Sequence, residues 1–451
     1  MVYRKIAILS PPFYSHFNPL LSLGRAFKRS GAEVLVACSG AFEGDVRAAG
    51  LRFAPLQINR NANIGVAQRT DQDRSEAERQ AAFFRATREG PIATLMLQSE
   101  HRRLDMLTDP ERLREEIAGL ADREQPDLFI VDQLSYAVSL ALYCLRLPFI
   151  TYCPGHPTYI PRGDQLFGVP YSWPREFQIP ARDLQALRDV ARQTDREFTE
   201  IFNAVIQAYD PSLPLVPDAF RFASSRAIVF NYPDFGHLHR PLENDGVQEI
   251  SIFMGYAFEP EPLPPEWEAR LAQADPDGPK VLITLGTFLS ARDDVLNRCL
   301  QAVKRTTPKS TVVVSAGANV DKIACSVGDG VFAEPFVPQK ALLPYMDLVI
   351  HHGGCNSLTE TLYYGKPMLI LPFSSDQFSI GHDAQVAGLA ECLDPNRFSD
   401  QELAEKMARI LSAERRESLA RWQRHVAARG PDYAVRQIQE ATDQASRCAY
   451  G

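Results

Sequence analysis

Two α/β lobes in tandem, each a doubly wound parallel sheet and the two facing across a cleft, are the fold this sequence predicts. Three observations carry it. Short apolar strands alternate with helical stretches from residue 5 to residue 254, and the same alternation restarts at Val281. Between them, 6 prolines crowd Pro260 to Pro279, a composition poor for sheet interiors and long helices alike. At 451 residues the chain is long enough for two such lobes. The expected division is a first lobe over 1–255, a proline-rich linker over 256–279, a second lobe over 280–430, and a tail over 431–451 that returns to the first lobe.

In chain order, Lys5 to Ser10 reads as a strand and Asn18-Pro19 as a helix start, after which Leu20, Leu21, Leu23, Gly24 and Phe27 keep a helical period that ends at Gly31. Further strands fit Glu33 to Cys38, Leu128 to Asp132, Pro148 to Cys153, Ala227 to Asn231 and Ile250 to Met254. In the second lobe they fit Val281 to Leu285, Thr311 to Ser315, Leu348 to His351 and Met368 to Leu371, followed by helical patterns at Gln401 to Leu411 and Glu417 to Ala428.

Composition excludes several classes. Apolar residues make up 45% and charged residues 23%, which suits a folded chain. The net charge of −8 has the wrong sign for a nucleic-acid surface. The longest apolar runs, such as Met368 to Phe373, fall far short of the roughly 18 to 20 residues of a membrane span. Met1 to Pro12 is too short an apolar stretch for a secretory segment. The 8 cysteines form no CxxC pair, so neither a disulfide framework nor a zinc site is indicated. A cytoplasmic protein is expected. No GxGxxG follows the first strand and no GxxxxGK[ST] occurs, so dinucleotide and P-loop readings lose their support.

The densest chemistry is His351-His352-Gly353-Gly354-Cys355-Asn356-Ser357-Leu358-Thr359-Glu360, between a strand and a helix. Two glycines let a backbone approach a ligand, and a helix N-terminus offers free N–H groups to a diphosphate. Ser357 and Glu360 also have the spacing of a capping box, in which both would merely serve the helix. A metal site from His351, His352 and Cys355 is disfavoured, because strand alternation sends the two histidines to opposite faces.

Upstream stands Phe336-Val337-Pro338-Gln339 and downstream Gly365-x-Pro367-x4-Pro372-x3-Asp376-Gln377. Over Phe336 to Gln377 the sequence resembles the signature box of the UDP-glycosyltransferase superfamily (family 1 glycosyltransferases), in particular its bacterial natural-product and macrolide branch. HGGCNS stands where plant members carry HCGWNS. The resemblance implies the two-lobed GT-B architecture, with Phe336 stacking on the nucleotide base and Val337 and Gln339 beside it. It further implies His352, Gly354, Asn356 and Ser357 at the diphosphate, Glu360 at the ribose hydroxyls, and Asp376 and Gln377 at the donor sugar. An ordinary polar loop is the alternative for that last pair. Gly286 and Thr287, after the strand from Val281, resemble the family's small-residue loop near the phosphates. The pattern departs from the family in carrying Phe378 to His382 before Asp383-Ala384, which reads as a longer loop.

Glycosyl transfer to a hydroxyl needs a base, and a histidine backed by a carboxylate suits neutral pH. Ser15-His16-Phe17-Asn18-Pro19, read as a loop just before the first helix, is similar to the family's Gly-His-x-Asn-Pro, and Asp132 ends a strand at the position of its orienting carboxylate. Strand ends on one edge of a parallel sheet converge, so a His16–Asp132 contact is expected; a loop histidine capping the helix is the alternative. The resemblance thus implies an inverting hexosyltransferase that takes a UDP-sugar or dTDP-sugar as co-substrate and needs no other cofactor and no metal. Asp71-Gln72-Asp73 and Asp275-Pro276-Asp277 are read as solvated loops, and the charged run Arg69 to Arg79 as a solvated helix face or flap. Tyr152 to Phe177, with 6 aromatics and 5 prolines, is the expected acceptor wall for a small hydrophobic hydroxylated molecule. Phe13, Tyr152, His156, Phe167 and Trp173 are its candidates; a loop folded onto its own lobe is the alternative. A nucleotide-sugar epimerase and a non-catalytic activator of a partner transferase share the fold.

Overall fold

The structure, a computed structural model, describes residues 3–59, 74–105, 107–224, 226–235, 250–323 and 330–448. The first lobe holds β1 (Lys5–Leu9), β2 (Glu33–Cys38), β3 (Arg52–Pro55), β4 (Leu128–Asp132), β5 (Phe149–Cys153), β6 (Ala227–Phe230) and β7 (Ile250–Phe253). The second holds β8 (Lys280–Thr284), β9 (Thr311–Ser315), β10 (Val331–Glu334), β11 (Leu348–His351), β12 (Met368–Ile370) and β13 (Ala390–Cys392). Sheet orders are β3-β2-β1-β4-β5-β6-β7 and β10-β9-β8-β11-β12-β13, with every neighbouring pair parallel. Both sheets reverse their winding once, between β1 and β4 and between β8 and β11, and the crevice beyond such a switch is where ligands settle.

Strands β3, β10 and β13 go unread in the sequence, and all three lie at sheet edges. The first two are only partly buried, so they lack the apolar run that marks a central strand; β13 is buried but three residues long, with Glu391 inside it.

Three boundaries differ from expectation. The first helix starts at Tyr14, with Asn18 and Pro19 inside it, so His16 sits in its first turn. Pro19 has no N–H for the carbonyl of Ser15, and that oxygen instead accepts from Asn356 Nδ2 of the second lobe at 2.8 Å. The proline-rich stretch is not all linker: Pro264-Pro265 opens a helix, Pro265–Leu271, whose Trp267 packs with Leu282, Val313 and Val337 of the second lobe. Phe378 to His382 form no loop, because the helix Gln377–Val386 runs straight through them.

The lobes share a core. Ile228, Phe230 and Tyr232 of the first pack with Leu358, Ile370 and Ile380 of the second in one buried cluster. The last helix, Pro431–Cys448, lies on the helix Tyr14–Arg29, burying Ala434, Val435 and Ile438 in the first lobe's core, while Arg29 grips Asp432 through two 3.0 Å bonds. Among the described residues no helix is long and apolar enough to cross a membrane.

Candidate active site

A cleft of about 1000 Å³ lies between the lobes, at the C-terminal ends of both sheets. At the first lobe's switch point, His16 Nδ1 lies 2.9 Å from Asp132 Oδ2. Asp132 is wholly buried at the end of β4, and its other oxygen accepts the Leu134 N–H at 2.9 Å, so the carboxylate cannot turn away. Burial disfavours the imidazolium, but the charge and hydrogen bond of Asp132 outweigh it, with Asp376 adding to them, and the His16 pKa lies above the ordinary histidine value. With Nδ1 held by Asp132, Nε2 is the nitrogen left for the cleft.

At the second lobe's switch point, Gly286 follows β8 and His352 follows β11. Gly286 has φ +73°, and a Cβ there would lie 2.8 Å from His352 Cε1; a Cβ on Gly354 would lie 2.4 Å from His352 Nε2. These glycines therefore clear space for an imidazole, a closer constraint than clearing it for phosphate. Burial holds His352 down at about 4, so the ring is neutral, and its buried Nδ1 has no partner among the described residues. His351 accepts the Gly353 N–H through Nδ1 and the Cys355 thiol donates to the Asn231 carbonyl, which engages two of the three groups a metal site would have used.

The helix Cys355–Tyr363 begins after Gly354, which offers no side-chain cap, so Ser357 lies within the first turn and no capping box forms. Glu360 instead accepts from Gln339 Nε2 at 2.7 Å. Burial raises its pKa to about 7, against the pull of Lys340 and Gln339. Phe336 presents an exposed ring at the cleft rim, where Thr287, Gln339, His352, Asn356, Ser357 and Glu360 also converge. Val337 lines the cleft too, although its side chain is buried in the second lobe's core.

Several side chains are committed otherwise than expected. Asn356 bridges the lobes, donating to Ser15 O and accepting from Asn231 Nδ2 at 2.8 Å. Gln377 closes its own turn, its Oε1 accepting from the N–H groups of Phe373 and Ser374. Asp376 Oδ2 accepts the His156 N–H at 2.9 Å.

Of the five residues named as candidates for the acceptor wall, Phe13 alone lines the cleft, with its ring centroid 5.7 Å from that of His16. Tyr152 points from β5 into the first lobe's core, wholly buried. Phe167 stacks on Phe220 at 4.3 Å, and Trp173 packs on Phe378 at 4.8 Å. His156 is buried against Asp383, Nε2 to Oδ2 at 3.0 Å, and Asp383 also takes the Tyr232 hydroxyl at 2.9 Å and that of Tyr171. The segment from 154 to 177 is thus a strap that docks onto the second lobe, with Tyr159 its aromatic on the cleft.

The first lobe's wall comes instead from residues passed over in the sequence: Phe83, Gln98, His101, Arg102 and Leu134. Phe83 and Phe84 follow the charged run on one helix, Arg74–Glu89, and meet Phe288 of the second lobe at 5.1 and 5.2 Å. That aromatic pair was the available signal that this helix is more than a solvated face. Residues 60–73, with Asp71 and Asp73, lie outside the described residues, and Asp277 of the second DxD pattern pairs with Lys309 on the surface.

Comparison with known proteins bears on the fold and the kind of enzyme. The family model for the erythromycin biosynthesis protein CIII-like C-terminal domain matches residues 300–440. An uncharacterized UDP-glucosyltransferase YojK of Bacillus subtilis is 23% identical, over 98% of this chain and 99% of its own. A 3-alpha-mycarosylerythronolide B desosaminyl transferase of Saccharopolyspora erythraea is 24% identical, over 88% of each. The solved structure of glycosyltransferase VinC in complex with dTDP superposes with a TM-score of 0.65 at 20% identity, over 98% of this chain and 100% of that one. The fold is therefore GT-B, and by the signature box, the family model over residues 300–440 and the relatives matched over nearly their whole length, the chain is a glycosyltransferase similar to the nucleotide-sugar-dependent, natural-product enzymes of family 1.

Proposed function

We propose that this enzyme moves a hexose from a UDP-sugar or dTDP-sugar to a hydroxyl of a small lipophilic natural product, a polyketide, macrolide or phenolic, with inversion at the anomeric carbon. The observation that carries the reading is the 2.9 Å His16–Asp132 contact opening onto a cleft whose far wall holds Phe336, His352 and Glu360. His16 Nε2 takes the acceptor hydroxyl proton as the oxygen attacks the anomeric carbon; the bond from that carbon to the diphosphate oxygen breaks, and the nucleoside diphosphate leaves. Asp132 stabilises the imidazolium so formed. The free N–H groups of the helix after Gly354 receive the departing charge, with neutral His352 as a hydrogen-bond donor and no divalent metal in the step.

Glu360, poised near neutrality beside Gln339, suits a ribose hydroxyl pair. Asp376 and Gln377 are assigned to the donor sugar, which requires Asp376 to use its second oxygen and Gln377 its amide N–H. The names of the relatives support both donor nucleotides. The test is incubation of the EDTA-treated protein with UDP- and dTDP-hexoses and mixed phenolic, polyketide and macrolide acceptors. Mass spectrometry should find acceptor plus one hexose, and the anomeric proton coupling should report inversion. Activity that disappears with EDTA, or a retained anomeric configuration, would sink the mechanism.

A further inference from the structure

One cation on the first-lobe wall of the cleft has no counter-ion paired with it among the described residues. Arg102, from the helix Pro91–Asp105, lines the cleft beside Gln98, Leu134 and Tyr159, and its guanidinium carbon lies 4.7 Å over the Phe167 ring. Arg25 and Lys340 on the cleft are matched by Glu259 and Glu261, and Arg292 at the lobe interface by Asp294. No ion pair joins Arg102 to a carboxylate among the described residues. Among the described residues its Nη1 is buried without a hydrogen-bond partner, and so is the hydroxyl of Ser99.

These atoms share one place. A Cβ on Gly168, which has φ +81°, would meet both Arg102 Nη1 and Ser99 Oγ, and Tyr136 stands edge-on to the Phe167 ring under the guanidinium. The chain thus clears room for a charged fork and aligns an aromatic platform with it. Burial disfavours that charge and holds the Arg102 pKa below the ordinary arginine value, against the pull of Tyr159, Tyr136 and Asp376. Asp376 acts electrostatically on His16 as well, so the cation belongs to the reacting end of the cleft.

A buried guanidinium without an anion is costly, and a ligand that brings one removes the cost. The donor diphosphate has its own place at the second lobe, on the opposite wall, so the missing anion belongs to the other substrate. A planar two-oxygen group matches the planar fork of arginine. We propose that the acceptor carries a carboxylate that pairs with Arg102, so that hydroxylated carboxylic acids are preferred over their neutral counterparts. This rests on the reading of the first lobe as the acceptor lobe, and it turns Phe167 from a wall residue into the support of a specificity residue.

The test uses 3-(4-hydroxyphenyl)propanoate and its methyl ester as probes, titrated calorimetrically against the full chain saturated with UDP. The acid should bind roughly 10- to 100-fold more tightly than the ester. Arg102→Met should abolish that preference by weakening acid binding alone, and Arg102→Lys, which keeps the charge, should retain part of it. Equal binding of acid and ester, no binding of the acid, or a preference that survives Arg102→Met overturns the proposal. Transfer from UDP-glucose and dTDP-glucose is assayed in parallel. Acid that binds through Arg102 but never becomes a glycoside counts against the transferase reading and leaves the anion site standing; acid and ester glycosylated equally do the reverse.

Discussion

Burial lowers the proton affinity of His16 and the Asp132 carboxylate more than restores it, and that gives a pH signature. Its pKa is raised above 6.5, and the reacting form is the neutral imidazole. The rate must therefore climb as pH rises through that pKa, with the acidic limb of kcat/KM above pH 6.5. Asp132→Asn keeps the shape and removes the charge; it should move the limb to lower pH while cutting the plateau roughly 10²- to 10⁴-fold. Rate profiles of the two proteins across pH 5 to 9 check it, and an unmoved limb would detach Asp132 from the base. Gly286 makes a second residue-scale case. Alanine there meets both a left-handed backbone angle and the His352 ring, so Gly286→Ala should lose roughly 1 to 3 kcal/mol in denaturant unfolding and weaken nucleoside diphosphate binding together.

At the scale of elements, the helix Gln377–Val386 links stability to the donor site. It starts at the proposed sugar-binding pair and carries Asp383, which receives His156, Tyr171 and Tyr232 from the first lobe. Asp383→Ala leaves two buried donors, on His156 and Tyr232, and the half-buried Tyr171 hydroxyl without this acceptor, a loss of roughly 3 kcal/mol, and frees the helix start that aims Asp376. A lower unfolding midpoint should come with a higher KM for the nucleotide sugar; a change in one without the other would separate the two roles. This element also marks the limit of what the sequence disclosed. Central strands such as β2, β4, β9 and β11 are legible to the residue, because burial on both faces forces a continuous apolar run. The His16–Asp132 contact is legible because strand ends at a switch point have to converge. The partners of His156, Phe167 and Trp173 are not, since a proline-rich strap has no period that says which lobe its aromatics meet. Arg102 was equally silent: its meaning lies in its having no paired carboxylate among the described residues, and only the folded chain defines partners.

For the whole molecule, the chain crosses between lobes more often than two tandem units require. Arg292 of the second lobe donates to the Thr87 carbonyl of the first at 3.1 Å, Lys406 reaches Glu176, and Asn356 holds Ser15 in the helix of the proposed base. The last helix closes the circuit, with Gly430 N–H bonded to the Met254 carbonyl at 2.7 Å and Val435 and Ile438 buried in the first lobe's core. That helix covers the element bearing His16, so it belongs to the folding unit of the base although it follows the donor lobe in sequence. A chain ended after Gly430 would expose the apolar face of the helix Tyr14–Arg29 and lose the Arg29–Asp432 pair. Its unfolding midpoint should drop by several degrees, and its turnover should fall more than its affinity for nucleoside diphosphate, since the donor-binding turns lie in the other lobe. Calorimetric scans beside UDP titrations make the comparison. If turnover and donor affinity fell in equal proportion, the last helix would be supporting both lobes alike and not the base alone.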